Sequence, residues 1–213
     1  MASSIVHLAI TNELTKKIEF KDTNRLKFGA IVVDAGIKGE QERNAHLKIF
    51  VNEGTKKTYD FDRYRQEFGG KMFSDDLYMG YYLHLVQDAL YRQYVYVRHS
   101  WNPHITGNVE RLHKDYGIVN QYVISKYQLK NDIVIPEDFE DEKLSQISDF
   151  DISQFMKNFE DYFQPVKEEP IFFFTKEMSD EFINEAIDFC TKEIEKIRSG
   201  KPGIDMMEYA WNN

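Results

Sequence analysis

Residues 74–95 read SDDLYMGYYLHLVQDALYRQYV, and this stretch calls for a helix at the centre of the molecule. At helical spacing Met79, Leu83, Val86 and Leu90 form one apolar stripe, while Tyr78, Tyr82, Leu85 and Ala89 form a second. Between Asp76 and Arg92 only His84, Gln87 and Asp88 are strongly polar. A helix that is apolar nearly all round is a buried helix, so other elements must surround it. Ser74 is the expected N-cap. Gly80 offers a place where another backbone, or a bound group, comes close. His84 and Asp88 stand at i and i+4 and therefore point the same way. Placing two ionisable groups in an apolar interior is costly unless they pair or ligate a metal.

The flanking sequence supplies the surrounding helices. SSIVHLAITNELTKKI near the N-terminus opens on serine caps and repeats apolar residues at spacings of three and four. TNRLKFGAIVVDAGIKG begins on a Thr-Asn cap signal, and its centre AIVV fits either helix or strand. IKGEQERNAHLKIFVNEGTKK reads as a loop around a short apolar piece. YDFDRYRQEFGGK reads as a short helix stopped by Gly69 and Gly70. NVERLHKDYGIVNQYVISKYQL is a further helix, with Val109, Leu112, Tyr116, Val119 and Val123 as its stripe. The acidic segment KNDIVIPEDFEDEKLSQISDFD reads as an irregular, solvated excursion. ISQFMKNFEDYF and SDEFINEAIDFCTKEIEKIRS close the series, with Ser179 the expected cap of the second. The tail GKPGIDMMEYAWNN carries no clear signal. The fold class expected is all-α: one domain over residues 1–213, a multi-helix bundle with a metal-site half at about 1–130 and C-terminal helices at about 150–200.

Composition narrows the function. The chain has 213 residues, is 42% hydrophobic and carries a net charge of −9. That size supports a real core, and that charge, without a basic block, argues against stable nucleic-acid binding. The single cysteine, Cys190, lies in an amphipathic helical pattern and reads as a small buried residue. No window offers the ~18 apolar residues of a transmembrane segment, and MASSIVHLAITNELTKK lacks the pattern of a leader. A cytoplasmic location is the expectation. The sequence carries no signal for oligomeric state.

Four places put a polar group where an apolar one belongs. His7 lies on the apolar face of the first helix, Asp34 ends the run FGAIVVD, His46 sits in NAHLKIF, and His84 with Asp88 lies on the buried helix. Each taken alone reads as a hydrogen-bonded core residue or a buried ion pair. Imidazole and carboxylate together are a suitable ligand set for Zn²⁺, and two ligands one turn apart on a stiff helix hold a fixed bite. His113 and Asp115 are further candidate ligands, of which at most one faces a bundle site, since residues two apart on a helix diverge. His99 and His104 flank SWNP and read as solvent-facing loop residues. All six histidines lie within the first 113 residues, so the C-terminal hundred are expected to be structural or to wall a substrate site.

IVHLAI, FGAIVVDAG, NAHLKIF and YMGYYLHLVQDALYRQYV are similar in order and spacing to motifs of bacterial proteins of the zinc-dependent phospholipase C family, nearest its intracellular branch. The family pattern runs T-H-x-x-x-A, G-x-x-x-P-D, T-H-F or S-H-F, then L-G-Y-x-x-H-x-x-x-D. The resemblance spans roughly residues 5–95 and is most specific around His84 and Asp88. It implies an all-helical bundle holding one to three zinc ions. It further implies that His7 ligates one metal, that His46 and His84 ligate another, that Asp88 bridges, and that Asp34 is a ligand or general base beside the attacking water. The chain departs from the pattern at Val33, where the family has proline, at its N-terminus MASSIV, and after residue 95, where no clean His-His-Glu set follows.

These readings lead to a metal-dependent phosphoesterase in which a metal-activated water attacks a small phosphate ester or lipid headgroup in line, with Asp34 as the catalytic residue. No organic cofactor is expected. The alternative is a non-catalytic helical protein with a structural metal site or a buried His/Asp network. An HD-type phosphohydrolase is disfavoured, because that class needs an adjacent His-Asp dipeptide and the chain has none.

Overall fold

A computed structural model describes residues 2–167 and 169–212. Eight α-helices carry the fold: α1 Ser4–Lys17, α2 Thr23–Val32, α3 Glu40–Ala45, α4 Phe61–Met72, α5 Asp76–Arg92, α6 Asn108–Lys126, α7 Ile152–Asp161 and α8 Lys176–Arg198. The molecule is thus mostly helical, as expected. A π-helical turn, Gln93–Arg98, prolongs α5. The expected central helix is central: from Asp76 to Ala89 every residue of α5 is buried.

The caps explain where helices begin. Ser3 caps α1 by accepting from the Val6 amide, as the serines suggested. Elsewhere aspartates do this work. Asp22 accepts from Asn24 and Arg25 at the start of α2, and Asp75 accepts from Leu77 at the start of α5, so Ser74 is not the cap. A carboxylate is favoured there over a hydroxyl because it also meets the positive end of the helix dipole. Thr175, not Ser179, caps α8. Gly69 and Gly70 do not stop α4, which runs to Met72; both are in open surroundings, and Phe68 and Met72 hold the last turn to the core.

The packing of α2 on α5 is unusually close. A Cβ on Gly29 would lie 2.2 Å from the Leu77 carbonyl oxygen, and one on Gly80 would lie 2.1 Å from that of Leu26. Only residues without side chains let the two backbones meet there. The ambiguous AIVV segment is helical, the end of α2 followed by Val33 at the start of a 3₁₀ turn, and is buried at every position.

Three regions depart from the expectations. The segment read as a loop around residue 48 contains α3 and an antiparallel hairpin, β1 Lys48–Val51 with β2 Lys56–Tyr59. The tail is not idle: β3 Trp211–Asn212 pairs with β2, and Ile204, Ala210 and Trp211 are buried. The acidic segment keeps most of its charged residues in solvent, as expected, yet it is anchored to the core. Phe139 and Leu144 are buried, and Glu142 accepts from Tyr78 and pairs with Arg25. Among the described residues no helix is long and apolar enough to cross a membrane.

Candidate metal centre

The five residues singled out first converge on one point, each brought by a different constraint. His7 comes from the second turn of α1. Asp34 comes from a tightened 3₁₀ turn, Val33–Ala35, that ends α2. His46 follows α3, and the next residue, Leu47, takes φ 48° to swing the chain into β1. That left-handed backbone is strained for a residue other than glycine. His84 and Asp88 come from α5. His7, His46, His84 and Asp88 have no solvent exposure, whereas the Asp34 side chain keeps 13%.

The orientation of the imidazoles is fixed from behind. His84 Nδ1 is 2.8 Å from the Ala30 carbonyl oxygen, a contact the Gly29–Gly80 approach makes possible. His46 Nδ1 is 2.7 Å from the Glu42 carbonyl oxygen, and His7 Nδ1 is 2.8 Å from Gln87 Oε1. The Ala30 and Glu42 carbonyl oxygens can only accept, so Nδ1 of His84 and of His46 carries the proton and their Nε2 atoms present lone pairs. Those lone pairs point inward. His46 Nε2 and His84 Nε2 stand 3.4 Å apart, and His7 Nε2 is buried with no hydrogen-bond partner.

The carboxylates complete the set. Asp34 Oδ1 is 3.5 Å from His46 Nε2 and 3.8 Å from His84 Nε2; Asp88 Oδ2 is 3.7 Å and 3.8 Å from the same two atoms. Ligands 2.0–2.2 Å from a tetrahedral Zn²⁺ lie about 3.4 Å from one another. Five atom pairs among His46, His84, Asp34 and Asp88 lie between 3.4 and 3.8 Å, and the groups close enough to share an ion fall into two sets joined by His84, one of His46, His84 and Asp88 and one of His7, Asp34 and His84. Asp88 Oδ1 turns the other way, 3.5 Å from His7 Nε2 and 3.1 Å from the Ala2 amide. The donor set fits a divalent cation of zinc's preferences.

Electrostatics favour the same occupant. Burial raises the Asp34 pKa, yet His84, His46 and His7 pull it below the ordinary carboxylate range. Asp88 behaves likewise, with His7 the strongest opposing influence on burial. Burial and the charge of His7 push His84 down to about 3, so it stays neutral and able to donate its lone pair. For His7 burial works downward, but Asp88 and Asp34 outweigh it and raise its proton affinity. A site that attracts a proton so strongly against burial is one of negative potential, and a cation answers it.

Surrounding groups hold the first five in place. The Ser4 hydroxyl donates to Asp34 Oδ2 at 2.7 Å, and the Tyr59 hydroxyl donates to Asp88 Oδ2 at 3.1 Å. Sequence reading missed Ser4, Tyr59 and Gln87 as partners. Gln87 alone left a signal, as the third polar residue on a greasy helix. Arg92 interacts with Tyr59 from the far side.

His113 and Asp115 do not join the cluster. Asp115 accepts from the amides of Phe172, Phe173 and Phe174 at 2.8, 2.7 and 2.9 Å, which saturates it. His113 is exposed and stands on the rim of a cavity of about 390 Å³ that reaches Asp34. Lys38, Phe155, Phe159 and Tyr162 also line that cavity. The last three belong to α7 and the turn after it, so the C-terminal part does wall the site. His104 is exposed as expected; His99 is half-buried against Tyr94 and Phe173.

Comparison of the chain with family models, with curated proteins and with solved structures finds no match.

Proposed function

We propose that this protein is a metal-dependent hydrolase whose substrates are small phosphate esters. The observation that carries the metal is the arrangement of three imidazoles, each with Nδ1 hydrogen-bonded from behind and Nε2 turned toward two carboxylates. Without a cation those lone pairs repel; with one they are ligands. His46, His84 and Asp88 would form one ligand set for an ion, and His7, Asp34 and His84 the other. When bound, such an ion acidifies water and draws negative charge from a phosphoryl oxygen.

The residues divide the remaining work. Asp34 is the one member of the five that lines the cavity. Its carboxylate, steadied by Ser4, is placed to orient an attacking water and take its proton. Lys38 brings positive charge and His113 an imidazole, kept toward its neutral form by partial burial and by Lys38, to the mouth, where a phosphate would arrive. The aromatic wall from α7 excludes bulk water and offers an apolar surface to the alcohol portion of the ester. The preference for phosphorus over other electrophiles rests on Lys38 and on the motif resemblance. The test is direct: protein purified without added metal should contain zinc by elemental analysis and hydrolyse bis(p-nitrophenyl) phosphate, with activity abolished by chelator and restored by zinc. Zinc-refilled protein that retains no metal sinks the reading.

A second reading has its own support. Four of the five groups are fully buried, and both carboxylates already engage protein donors. A structural ion fits that enclosure. A chelator that lowers the melting temperature of a protein inert toward every phosphate ester favours this reading.

A further inference from the structure

A second cavity, about 620 Å³, lies on another face, between the β2–β3 edge, the end of α5 and the loop at residues 101–104. Its size is that of a small-molecule site. In a chain of net charge −9 its lining runs the other way: among the described residues, Lys56, Lys57 and Arg92 stand against one carboxylate, that of Glu208. Neither lysine forms an ion pair among the described residues. Arg92 is held rigid. Its guanidinium lies 4.7 Å from the Tyr96 ring centre and 5.0 Å from that of Trp211, and it donates to the Tyr96 hydroxyl. Even so, its Nε–H is buried without an acceptor, and so is the indole N–H of Trp101, another lining residue. Two orphaned donors beside one cavity are rare in a folded protein, and each is costly until an acceptor arrives.

We propose that this cavity binds a small organic oxyanion, carried on a phosphate or a carboxylate. Fixed guanidinium and lysine donors suit both groups, and the two buried N–H donors supply what water reaches poorly. The net charge of −9 argues against a polyanion as the occupant. The site is separate from the metal centre: Tyr59 stands between Arg92 and Asp88.

The protein's only two tryptophans, Trp101 and Trp211, both line this cavity, so intrinsic fluorescence reads it directly. The full chain, stripped of metal by chelator, is titrated with inorganic phosphate and separately with acetate. A saturable fluorescence change is expected with one of them, and the responding probe identifies the oxyanion. Affinity should fall at least tenfold in the double variant Lys56→Glu, Lys57→Glu and in Arg92→Gln, and stay unchanged in Asp34→Asn. The lysine pair sits at the surface, so it keeps the test valid if Arg92→Gln fails to fold. No saturable response to either probe overturns the proposal. So does a response that Asp34→Asn removes while the lysine variant retains it.

Discussion

Asp88 and Asp115 are both buried aspartates on long helices, exposed by 0% and 1%, and their surroundings could hardly differ more. Asp115 meets three consecutive backbone amides from one bend and needs nothing else. Asp88 meets the Ala2 amide and the Tyr59 hydroxyl, then faces three imidazole nitrogens. Burial of a carboxylate therefore says little about its role. The direction of the donors and lone pairs around it says much more. One aspartate ties a chain segment down; the other belongs to a buried set of groups that could hold a cation.

Substitutions can break that contrast or sharpen it. The largest effect is expected at Gly80, where valine forces a branched side chain into the Leu26 carbonyl. A loss of roughly 4 kcal/mol or more is expected, read as absence of a cooperative melt. Next comes the pair His84→Ala and Asp115→Ala. His84→Ala should weaken zinc affinity by roughly 100-fold or more, measured by competition with a chromogenic chelator. Asp115→Ala should cost roughly 3 kcal/mol through its orphaned amides while zinc binding is unchanged. If both variants lose zinc, the contrast between the two aspartates collapses.

Arg25 gives a smaller, pH-dependent effect. It chelates Asp75 through Nε at 2.8 Å and Nη2 at 2.6 Å, and reaches Asp138 and Glu142. Burial raises the Asp75 pKa, but Arg25 and the Leu77 amide outweigh it and hold it low. The stabilisation is thus present above the ordinary carboxylate pKa and is lost as pH falls through the depressed folded value. Arg25→Gln should cost roughly 2 kcal/mol at pH 7, and the gap from the parent protein should narrow below about pH 3. Chelator should leave the gap unchanged, since this cluster lies outside the metal centre. Smallest is Tyr59→Phe, which removes one donor from Asp88 and should lower zinc affinity by about tenfold with little change in melting temperature.

The parts legible in the sequence were those governed by local pattern. The buried α5, the stripe of α6 from Leu112 to Val123 (though Val109, expected on it, is exposed), the serine cap of α1 and the amphipathic α7 and α8 follow from spacing alone. The convergence of His7, Asp34, His46, His84 and Asp88 was legible for a related reason: each is a polar residue in an apolar setting, and such residues must find one another or an ion. What stayed hidden depends on partners far along the chain. β3 pairs with β2 across some 150 residues. Asp115 finds its amides nearly 60 residues away. The choice of Asp75 over its neighbour Ser74 turns on which of two adjacent side chains reaches an amide. No local periodicity encodes these.

The crossing of α2 and α5 at Gly29 and Gly80 has a consequence for how this centre could change through evolution or design. It sets the spacing that lets His84 Nδ1 reach the Ala30 carbonyl, and so acts as a gauge block for a coordination sphere it never touches. A methyl group added to either glycine would wedge the helices apart by more than a hydrogen bond tolerates. A screen that ranks positions by proximity to the metal would file both glycines under scaffold and leave them free to vary. They belong with the ligands, as the two positions whose missing atoms define the aperture.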